Sequence, residues 1–417
     1  MRTLVPRPRS LAWLQQWRDR DVIKVITGVR RCGKSTLLLL FQDALRAEGV
    51  QDDRIISVNL EDPAYSVLLA DHRALYERIR ALLPADGPGY VFIDEIQRAD
   101  QFERVIDGLF ILPGVDLYLT GSSSYLLSGN LASLLTGRYV EHRLLPLSFA
   151  EFVAARTKPG VTGSPDMAML PLRDLYDAYV RYGGFPFTLQ VTSDDEVRQY
   201  LEGIISTVLL KDVAPAQRVA DAGMLQAVTQ YLFANTGNPT SINSIANTLN
   251  SAGRRISRPT VESYVTGLTD AFLVYPAPRW DVRGKRLLVT GRKLYVVDPG
   301  LRRALLGARP VDAGHVLETI VYLELLRRPG RVYTGKLDAL EVDFVVEDSD
   351  GTTYIQVAHT VEDEATLARE LAPLRAIPGY DPRLLLTLDR EPPQSYDGIR
   401  RLSVLDWLIS GAASANR

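Results

Sequence analysis

The segment that most constrains this chain is GVRRCGKS at residues 28–35, which matches the pattern G-x-x-x-x-G-K-[ST]. The apolar stretch VIKVIT precedes it, and the run TLLLLFQDALRAEG, with helical character, follows it. A strand, a glycine-rich loop and a helix in this order form a phosphate-binding loop, because backbone N–H groups and the helix N-terminus point at the phosphates. The predicted ATP-binding residues of this loop are Gly28, Val29, Arg30, Arg31, Cys32, Gly33, Lys34, Ser35 and Thr36.

Two side chains of the loop and two carboxylates further along the chain predict phosphate binding, metal binding and hydrolysis. Lys34 is expected to reach the β- and γ-phosphates, and Ser35 is expected to hold Mg²⁺. The stretch YVFIDEIQ places four apolar residues before Asp94 and Glu95. A buried strand that ends in two carboxylates directs Asp94 to the metal and leaves Glu95 to orient or deprotonate a water molecule. The alternative for Glu95 is a solvated carboxylate at the start of a loop.

Two further polar positions follow the next strands. The stretch LYLT ends in GSSS, so Ser122 or Ser123 could hydrogen-bond the γ-phosphate or the attacking water, or could instead cap the next helix. In LLTGR, Arg138 lies at a turn between a predicted helix and a predicted strand. It is a candidate arginine finger, a residue usually offered to a neighbouring subunit, and its alternative is ordinary surface charge.

The region from Asp21 to about Leu147 alternates short β-branched stretches with longer helical patterns, which predicts a parallel sheet with crossover helices. The stretch TKPGVTGSP then marks a loop or an interdomain joint, and a helical region follows. The predicted strands of the sheet are Ile23–Thr27, Ile55–Asn59, Tyr90–Ile93, Leu117–Thr120 and Val140–Leu144.

Several of these segments together resemble a known family. GVRRCGKST, YVFIDEIQ, YLTGSSS, GR before LPLSFAEF, then GGFP, KDV and KLYVVDPGL are similar to the AAA+ ATPases of the archaeal-type, STAND-related group, over nearly the whole chain. In that group the ATPase is fused to a C-terminal domain of unknown function. The resemblance implies that Pro186, in GGFP, lies near the base or ribose of the nucleotide. A helix-breaking Gly-Gly-Pro turn is the alternative.

The resemblance and the element pattern give one fold class, an α/β protein with a P-loop NTPase parallel sheet and a helical lid. A winged helix and a C-terminal restriction-endonuclease-like α/β domain are expected to follow. The predicted boundaries are 1–155 for the ATPase core, 156–235 for the lid, 236–300 for the winged helix and 301–417 for the last domain.

The predicted winged helix consists of two helices and a hairpin, and it is locally basic. Between Gly253 and Leu294 there are nine basic and three acidic residues, a local charge of +6 in a chain of net charge −2. These charges fit phosphate contacts, but winged helices also bind proteins, and solvated faces also carry arginines. The candidate DNA-binding residues are Arg254, Arg255, Arg258, Arg283, Lys285 and Arg286.

The last predicted domain resembles a PD-(D/E)XK nuclease scaffold. Glu318 lies on a predicted helix, Asp343 lies in LEVDFVV, and the strand YIQVAH carries Gln356. The motif would need a lysine two residues after Gln356, where this chain has Ala358. His359 cannot replace it, because successive strand residues point to opposite faces. We therefore expect a degenerate site without nuclease activity.

Composition limits the remaining functions. Balanced totals of 48 basic and 50 acidic residues exclude a global positive field, and the single cysteine excludes an internal disulfide or cysteine-ligated zinc. No long apolar stretch or secretory signal is evident, which favours a cytoplasmic protein without a membrane span. The sequence thus predicts a Mg²⁺-dependent ATPase that acts as a homo-oligomeric switch or motor, with DNA as its expected partner. The alternative is a nucleotide-gated scaffold that binds a protein partner.

Overall fold

A computed structural model describes residues 4–84, 86–124, 137–157, 170–191, 193–284, 286–308 and 312–410. By its internal contacts the chain divides into two compact units. The first contains residues 1–145 and 270–272, and the second contains residues 146–269 and 273–417. Each unit has a sheet of its own.

The first unit contains a five-stranded sheet in the order β2-β3-β4-β1-β5, and every neighbouring pair is parallel. This confirms the predicted parallel sheet, whose strands differ from the predicted ones by no more than a few residues at their ends. The strands are β1 (Ile23–Thr27), β2 (Ile55–Asn59), β3 (Gly89–Asp94), β4 (Val115–Gly121) and β5 (Tyr139–Arg143). The helices are α1 (Pro8–Trp17), α2 (Lys34–Ala47), α3 (His72–Arg80) and α4 (Phe102–Phe110).

The strand order decides which loops can meet. Strands β1 and β3 are fully buried, because helices cover both faces of a parallel sheet. Strand β4 lies between them and pairs with both. The carboxyl ends of β1, β3 and β4 therefore lie side by side at one edge of the sheet, where ligands of open α/β sheets bind.

The second unit begins with helices and contains the predicted lid and winged-helix segments. Between α7 and α8 the chain forms a π-helical turn, Leu209–Val213, and a short helix, Ala214–Ala216. The helices are α5 (Phe149–Thr157), α6 (Leu172–Tyr182), α7 (Asp194–Val208), α8 (Ala222–Ala234), α9 (Ile242–Ser251), α10 (Arg258–Asp270), α11 (Pro299–Leu306), α12 (Ala313–Leu326), α13 (Glu364–Ala376) and α14 (Val404–Ser410). Among the described residues, none of the helices has the length and apolar character needed to span a membrane.

An eight-stranded mixed sheet, in the order β12-β13-β11-β10-β9-β8-β6-β7, forms the rest of the second unit. The predicted wing hairpin, β6 and β7, is part of this sheet, because β6 pairs in parallel with β8. Segments predicted as two domains therefore share one sheet, since an edge strand with unpaired backbone groups gains hydrogen bonds from a neighbour. The strands are β6 (Val274–Asp281), β7 (Arg286–Val296), β8 (Arg331–Leu337), β9 (Leu340–Asp348), β10 (Gly351–Ala358), β11 (Arg383–Thr387), β12 (Gln394–Tyr396) and β13 (Ile399–Ser403).

A buried carboxyl group, Asp298, joins three distant segments of the second unit. Its oxygens accept the backbone N–H of Gly184 at 2.6 Å and that of Leu301, in the first turn of α11, at 3.0 Å. Gly184 in turn accepts the N–H of Leu147 at 2.7 Å, and a Cβ on Gly184 would lie 2.4 Å from the Leu147 carbonyl oxygen. The turn in GGFP thus has a structural reason for its second glycine. Burial raises the pKa of Asp298 to about 6, although the backbone hydrogen bonds oppose this rise.

We expect Asp298 to make the stability of this unit pH-dependent. An unfolded aspartate releases its proton near about pH 4, whereas the folded one keeps it to about 6, so the free energy of unfolding falls as pH rises between these values. A shift of about two units corresponds to about 3 kcal/mol. Urea unfolding of wild type and Asp298→Asn should give stability curves that converge by this amount from pH 4 to 7. Parallel curves for the wild type and Asp298→Asn would contradict the assignment.

Candidate functional site

The loop after β1 has the backbone geometry of a phosphate-binding loop. Gly28 has a φ of 151°, and a Cβ at this position would lie 2.2 Å from the carbonyl oxygen of Leu144. No other residue type fits here without displacing the backbone after β5. Gly33, with a φ of 110°, precedes the first residue of α2 and has no side chain to cap that helix. The N-terminal N–H groups of α2 are therefore directed at the loop, where an anion binds.

Lys34 is buried in this loop. Its ammonium donates to the carbonyl oxygens of Gly28 at 2.9 Å and Val29 at 3.3 Å, and it lies 3.7 Å from Oε1 of Glu95. The carboxylate is thus at ion-pair distance without a direct hydrogen bond. The positive charge is already inside the loop, so a phosphate entering it meets an ammonium whose partners are mainly weak carbonyl acceptors.

The predicted metal ligands are adjacent. Asp94, at the end of β3, accepts hydrogen bonds from the hydroxyl groups of Ser35 and Thr120. Burial raises the pKa of Asp94, and these two hydrogen bonds oppose the rise. A carboxylate and a hydroxyl group in contact are oxygen ligands of the kind that Mg²⁺ prefers, so the residues present fit this ion.

Glu95 is buried at the same edge of the sheet, which disagrees with the alternative of a solvated carboxylate. Its backbone is left-handed, with a φ of 55°, and its N–H donates to the Thr120 hydroxyl at 2.9 Å. Its Oε2 atom accepts a hydrogen bond from Nε2 of Gln97 at 2.5 Å, and the same nitrogen lies 3.4 Å from Oγ of Ser122. The structure therefore brings the predicted Glu95 and Ser122 together, through a glutamine that the sequence analysis did not single out.

The other residues of the loop have structural or peripheral positions. Cys32 is fully buried, its thiol donates to the Leu144 carbonyl oxygen at 3.3 Å, and burial raises its pKa. Arg30 lies 3.7 Å from Glu61, while Arg31 is exposed. Arg7, which the sequence analysis missed, is buried and donates to the carbonyl oxygens of Cys32 at 3.3 Å and Leu145 at 2.7 Å. An arginine from the segment before α1 thus ties the loop to the end of β5.

Arg138 lies away from the loop of its own chain. Its carbonyl oxygen accepts the N–H of Ile23, the first residue of β1, at 2.8 Å, so it lies at the opposite end of that strand. A strand of this length separates the two ends by roughly 13 Å. The Arg138 side chain is half-exposed and lies 3.1 Å from Asp107. A role in hydrolysis would require the loop of another subunit.

The basic segment of the second unit carries less free charge than its composition implies. Arg283 lies 2.8 Å from Asp338, which is outside the segment, and Arg286 lies 3.6 Å from Asp281, which is inside it. Both arginines therefore have an acidic partner. Lys285 lies outside the described residues. The remaining candidates lie between α9 and the first residue of α10 and are exposed, namely Arg254, Arg255 and Arg258.

The C-terminal carboxylates converge on a lysine that the sequence analysis did not assign to them. Lys293 of β7 is buried and lies 2.9 Å from Glu318, 2.9 Å from Glu341 and 3.8 Å from Asp343. Burial opposes its charge, yet these carboxylates raise the pKa of Lys293. An ammonium group is thus present, although the expected strand position holds Ala358.

The remaining groups of this cluster are also partnered. The Val357 N–H donates to Asp343 at 2.9 Å, and Gln356 donates to Glu370 at 2.9 Å. Burial and the nearby charge of Glu318 raise the pKa of Asp343, which favours its protonated form. Within the described part of the chain, no three His, Cys, Asp or Glu side chains are arranged to hold a metal ion.

Comparisons with known proteins agree with the geometry of the first unit. Residues 20–153 match the family described as "AAA domain", and residues 173–312 match a "Domain of unknown function (DUF8612)". An uncharacterised protein of Haemophilus influenzae is 36% identical over 410 residues, which cover 98% of this chain and 99% of that protein. An uncharacterised protein of Methanocaldococcus jannaschii is 27% identical over 358 residues, covering 84% and 77%.

Among solved structures, the Walker-type ATPase of Pyrococcus abyssi is similar over 72% of this chain and 95% of its own, with 15% identity and a TM-score of 0.47. The predicted AAA+ P-loop core is confirmed by the AAA match and by the parallel sheet that carries the loop. The nuclease-like character of the last domain stays a prediction. With an AAA domain, DUF8612 and 36% identity along almost its whole length, the chain belongs to the family of AAA-domain proteins that includes the Haemophilus influenzae relative.

Proposed function

We propose that this protein binds ATP and hydrolyses it with Mg²⁺, and that it uses the cycle as an oligomeric switch or motor. The observation that carries the proposal is the convergence of Lys34, Ser35, Asp94 and Glu95 at one edge of the first sheet. A lysine for phosphate, two oxygen ligands for a metal and a buried carboxylate beside them are the parts that phosphoryl transfer to water needs.

Each residue has a separate task in this proposal. Lys34 exchanges its carbonyl partners for the β- and γ-phosphates. Ser35 and Asp94 would hold Mg²⁺, whose charge would offset that of the phosphates. Glu95 accepts a proton from the attacking water, and Ser122 donates a hydrogen bond to the γ-phosphate or orients that water. Pro186 stays a candidate contact for the base or ribose. The contacts of Gly184 explain the glycine of this segment but do not explain the proline.

The oligomer is proposed because Arg138, the candidate arginine finger, lies away from the loop of its own chain. The transition state of phosphoryl transfer gains from an arginine, and Arg138 lies at the opposite end of β1 from the loop. A neighbouring subunit that presents its Arg138 to this loop would complete the site. The pairing with Asp107 would then hold the side chain until the subunits meet.

DNA is the proposed partner of the second unit, through the exposed Arg254, Arg255 and Arg258. Contacts to phosphates need accessible cations and no base-reading pattern, and these residues fit that requirement. The nucleotide-gated scaffold for a protein partner remains the second candidate, because four of the basic residues of this segment have acidic partners, namely Arg279, Arg283, Arg286 and Lys293.

The C-terminal domain is proposed to be a scaffold without nuclease activity. A two-carboxylate nuclease site uses its acids to hold a divalent ion. Here the ammonium of Lys293 contacts Glu318 and Glu341, and Gln356 provides an amide where a charged ligand is needed. These contacts support a folded, ion-paired core.

Binding and hydrolysis should separate in two variants of the loop site. Lys34→Ala should abolish nucleotide affinity, because it removes the side-chain ammonium that reaches the phosphates. Glu95→Gln should retain affinity and lose turnover, since an amide cannot accept the proton of the water. Fluorescent-nucleotide binding and phosphate release measure the two effects, with the exposed Lys211→Ala as control. Wild-type turnover in Glu95→Gln would show that Glu95 is not the base.

Mixed assemblies test the shared site. Lys34→Ala chains lack a working loop, and Arg138→Ala chains lack the finger, so each is expected to be inactive alone. An assembly containing both should recover part of the ATPase activity, because the intact loop of one chain meets the intact Arg138 of the other. If an assembly shown to be mixed recovers no activity, Arg138 does not act on the loop of a neighbouring subunit.

DNA binding should depend on salt and little on sequence. Replacing Arg254, Arg255 and Arg258 with glutamine should weaken binding and flatten the slope of log affinity against log salt by up to about 2.7, or 0.9 for each lost phosphate contact. Gel shifts across a salt series measure the slope. Replacing the exposed Arg73, Arg78 and Arg80 of α3 provides a control with the same change in net charge. Equal effects of the two triple variants would show that DNA does not bind specifically at Arg254, Arg255 and Arg258.

The scaffold proposal predicts no cleavage of plasmid or single-stranded DNA with Mg²⁺ or Mn²⁺. The comparison uses wild type, Asp343→Ala and Lys34→Ala, with circular dichroism to verify folding. Cleavage that persists in Lys34→Ala and disappears in folded Asp343→Ala would reveal an active nuclease in this domain.

A further inference from the structure

Gln97 forms a bridge between two of the residues assigned to hydrolysis. It lies in the short 3-10 helix Ile96–Arg98, directly after Glu95. Its Nε2 atom donates to Oε2 of Glu95 at 2.5 Å and lies 3.4 Å from the hydroxyl oxygen of Ser122. One amide group therefore connects the residues that follow β3 with those at the end of β4.

The chemistry of these contacts fixes the orientation of the amide. An ionised carboxylate only accepts hydrogen bonds, so the nitrogen of Gln97, and not its oxygen, faces Glu95. The amide oxygen, Oε1, then points away from Glu95. This atom is buried, and it has no hydrogen-bond partner among the protein groups that the structure describes. Leaving such an acceptor unsatisfied costs roughly 1–3 kcal/mol, so its position needs an explanation.

We propose that Gln97 is a catalytic residue that orients both Glu95 and the attacking water, an inference that rests on the ATPase function proposed above. Nε2 holds the Glu95 carboxylate, and Oε1 accepts one O–H of the water. The second O–H then points to Glu95, which removes this proton as the new bond from oxygen to the γ-phosphorus forms. The bond between the γ-phosphorus and the bridging oxygen breaks, and the products are ADP and inorganic phosphate.

Two substitutions separate this role from simple packing. Gln97→Leu keeps a similar volume and removes both the donor and the acceptor. We expect its turnover to fall about a hundredfold or more, within the roughly 10²–10⁴-fold range of positioned acid–base groups, while ATP affinity changes less than about twofold. Gln16→Leu, at an exposed position of α1, is the matched control and should leave both quantities unchanged.

Gln97→Glu tests the role through the pH dependence of turnover, which a purely structural role of Gln97 would not change. Next to Glu95, the new carboxyl group keeps its proton to higher pH than usual, because two adjacent negative charges repel each other. In its protonated form it donates to Glu95 as the amide does. Its turnover relative to wild type should therefore be highest at low pH and should fall as pH rises, whereas Gln97→Leu stays low throughout.

The experiment measures phosphate release and fluorescent-ATP binding for the full chain of each variant between pH 6 and 9. Reduced turnover of Gln97→Leu at unchanged affinity, with a pH-dependent Gln97→Glu, supports the inference. Wild-type turnover in Gln97→Leu, or a pH-independent ratio for Gln97→Glu, overturns it while the ATPase proposal stands. A wild-type protein without ATP turnover overturns both. If Gln97→Leu does not fold, the pH profile of Gln97→Glu decides alone.

Discussion

The buried hydroxyl group of Thr120 holds the candidate site of the first unit together. Thr120 of β4 donates to the carboxylate of Asp94 and accepts the N–H of Glu95, so one side chain fixes two consecutive residues of the neighbouring strand end. The second bond accompanies the left-handed backbone of Glu95, a conformation that is uncommon for residues other than glycine. This contact turns the Glu95 side chain away from the strand direction and toward Lys34. The parallel pairing of β3 with β4 makes it possible.

Periodicity and motif chemistry predict the first unit well because its information is local. The strands other than β5 are short, largely apolar stretches, and the loop is specified by glycines whose conformations no other residue adopts at that place. Asp94 and Glu95 lie at the end of β3, and Lys34 follows the loop after β1, so their positions follow from the parallel topology. Gln97 was missed because its role depends on side-chain direction after a short 3-10 helix, which spacing alone does not give.

The second unit was harder to predict because its contacts join distant parts of the chain. The hairpin of β6 and β7 has the local pattern of a wing, and only the pairing of β6 with β8 places it in the large sheet. Lys293 of β7 likewise contacts Glu318 and Asp343, which lie on a later helix and a later strand. The nuclease motif expects its lysine on the same strand as Gln356. A lysine that lies on β7 therefore could not be recognised from that motif. The turn at Gly184 likewise depends on a distant residue, because its N–H donates to Asp298.

Among the described residues, Lys24, Lys34 and Lys293 are buried beside carboxylates, and the last two differ in the geometry of their contacts. Lys293 makes contacts of 2.9 Å with both Glu318 and Glu341, the length of charge-assisted hydrogen bonds. Removing this ammonium from its partners would leave buried carboxylates uncompensated, at a cost of about 3–5 kcal/mol. Lys34 instead lies 3.7 Å from Glu95 and donates to two backbone carbonyl oxygens, which are weaker acceptors than carboxylates. It can exchange those partners for phosphate oxygens at little cost. The distances therefore favour ligand binding at Lys34 and a permanent structural role for Lys293.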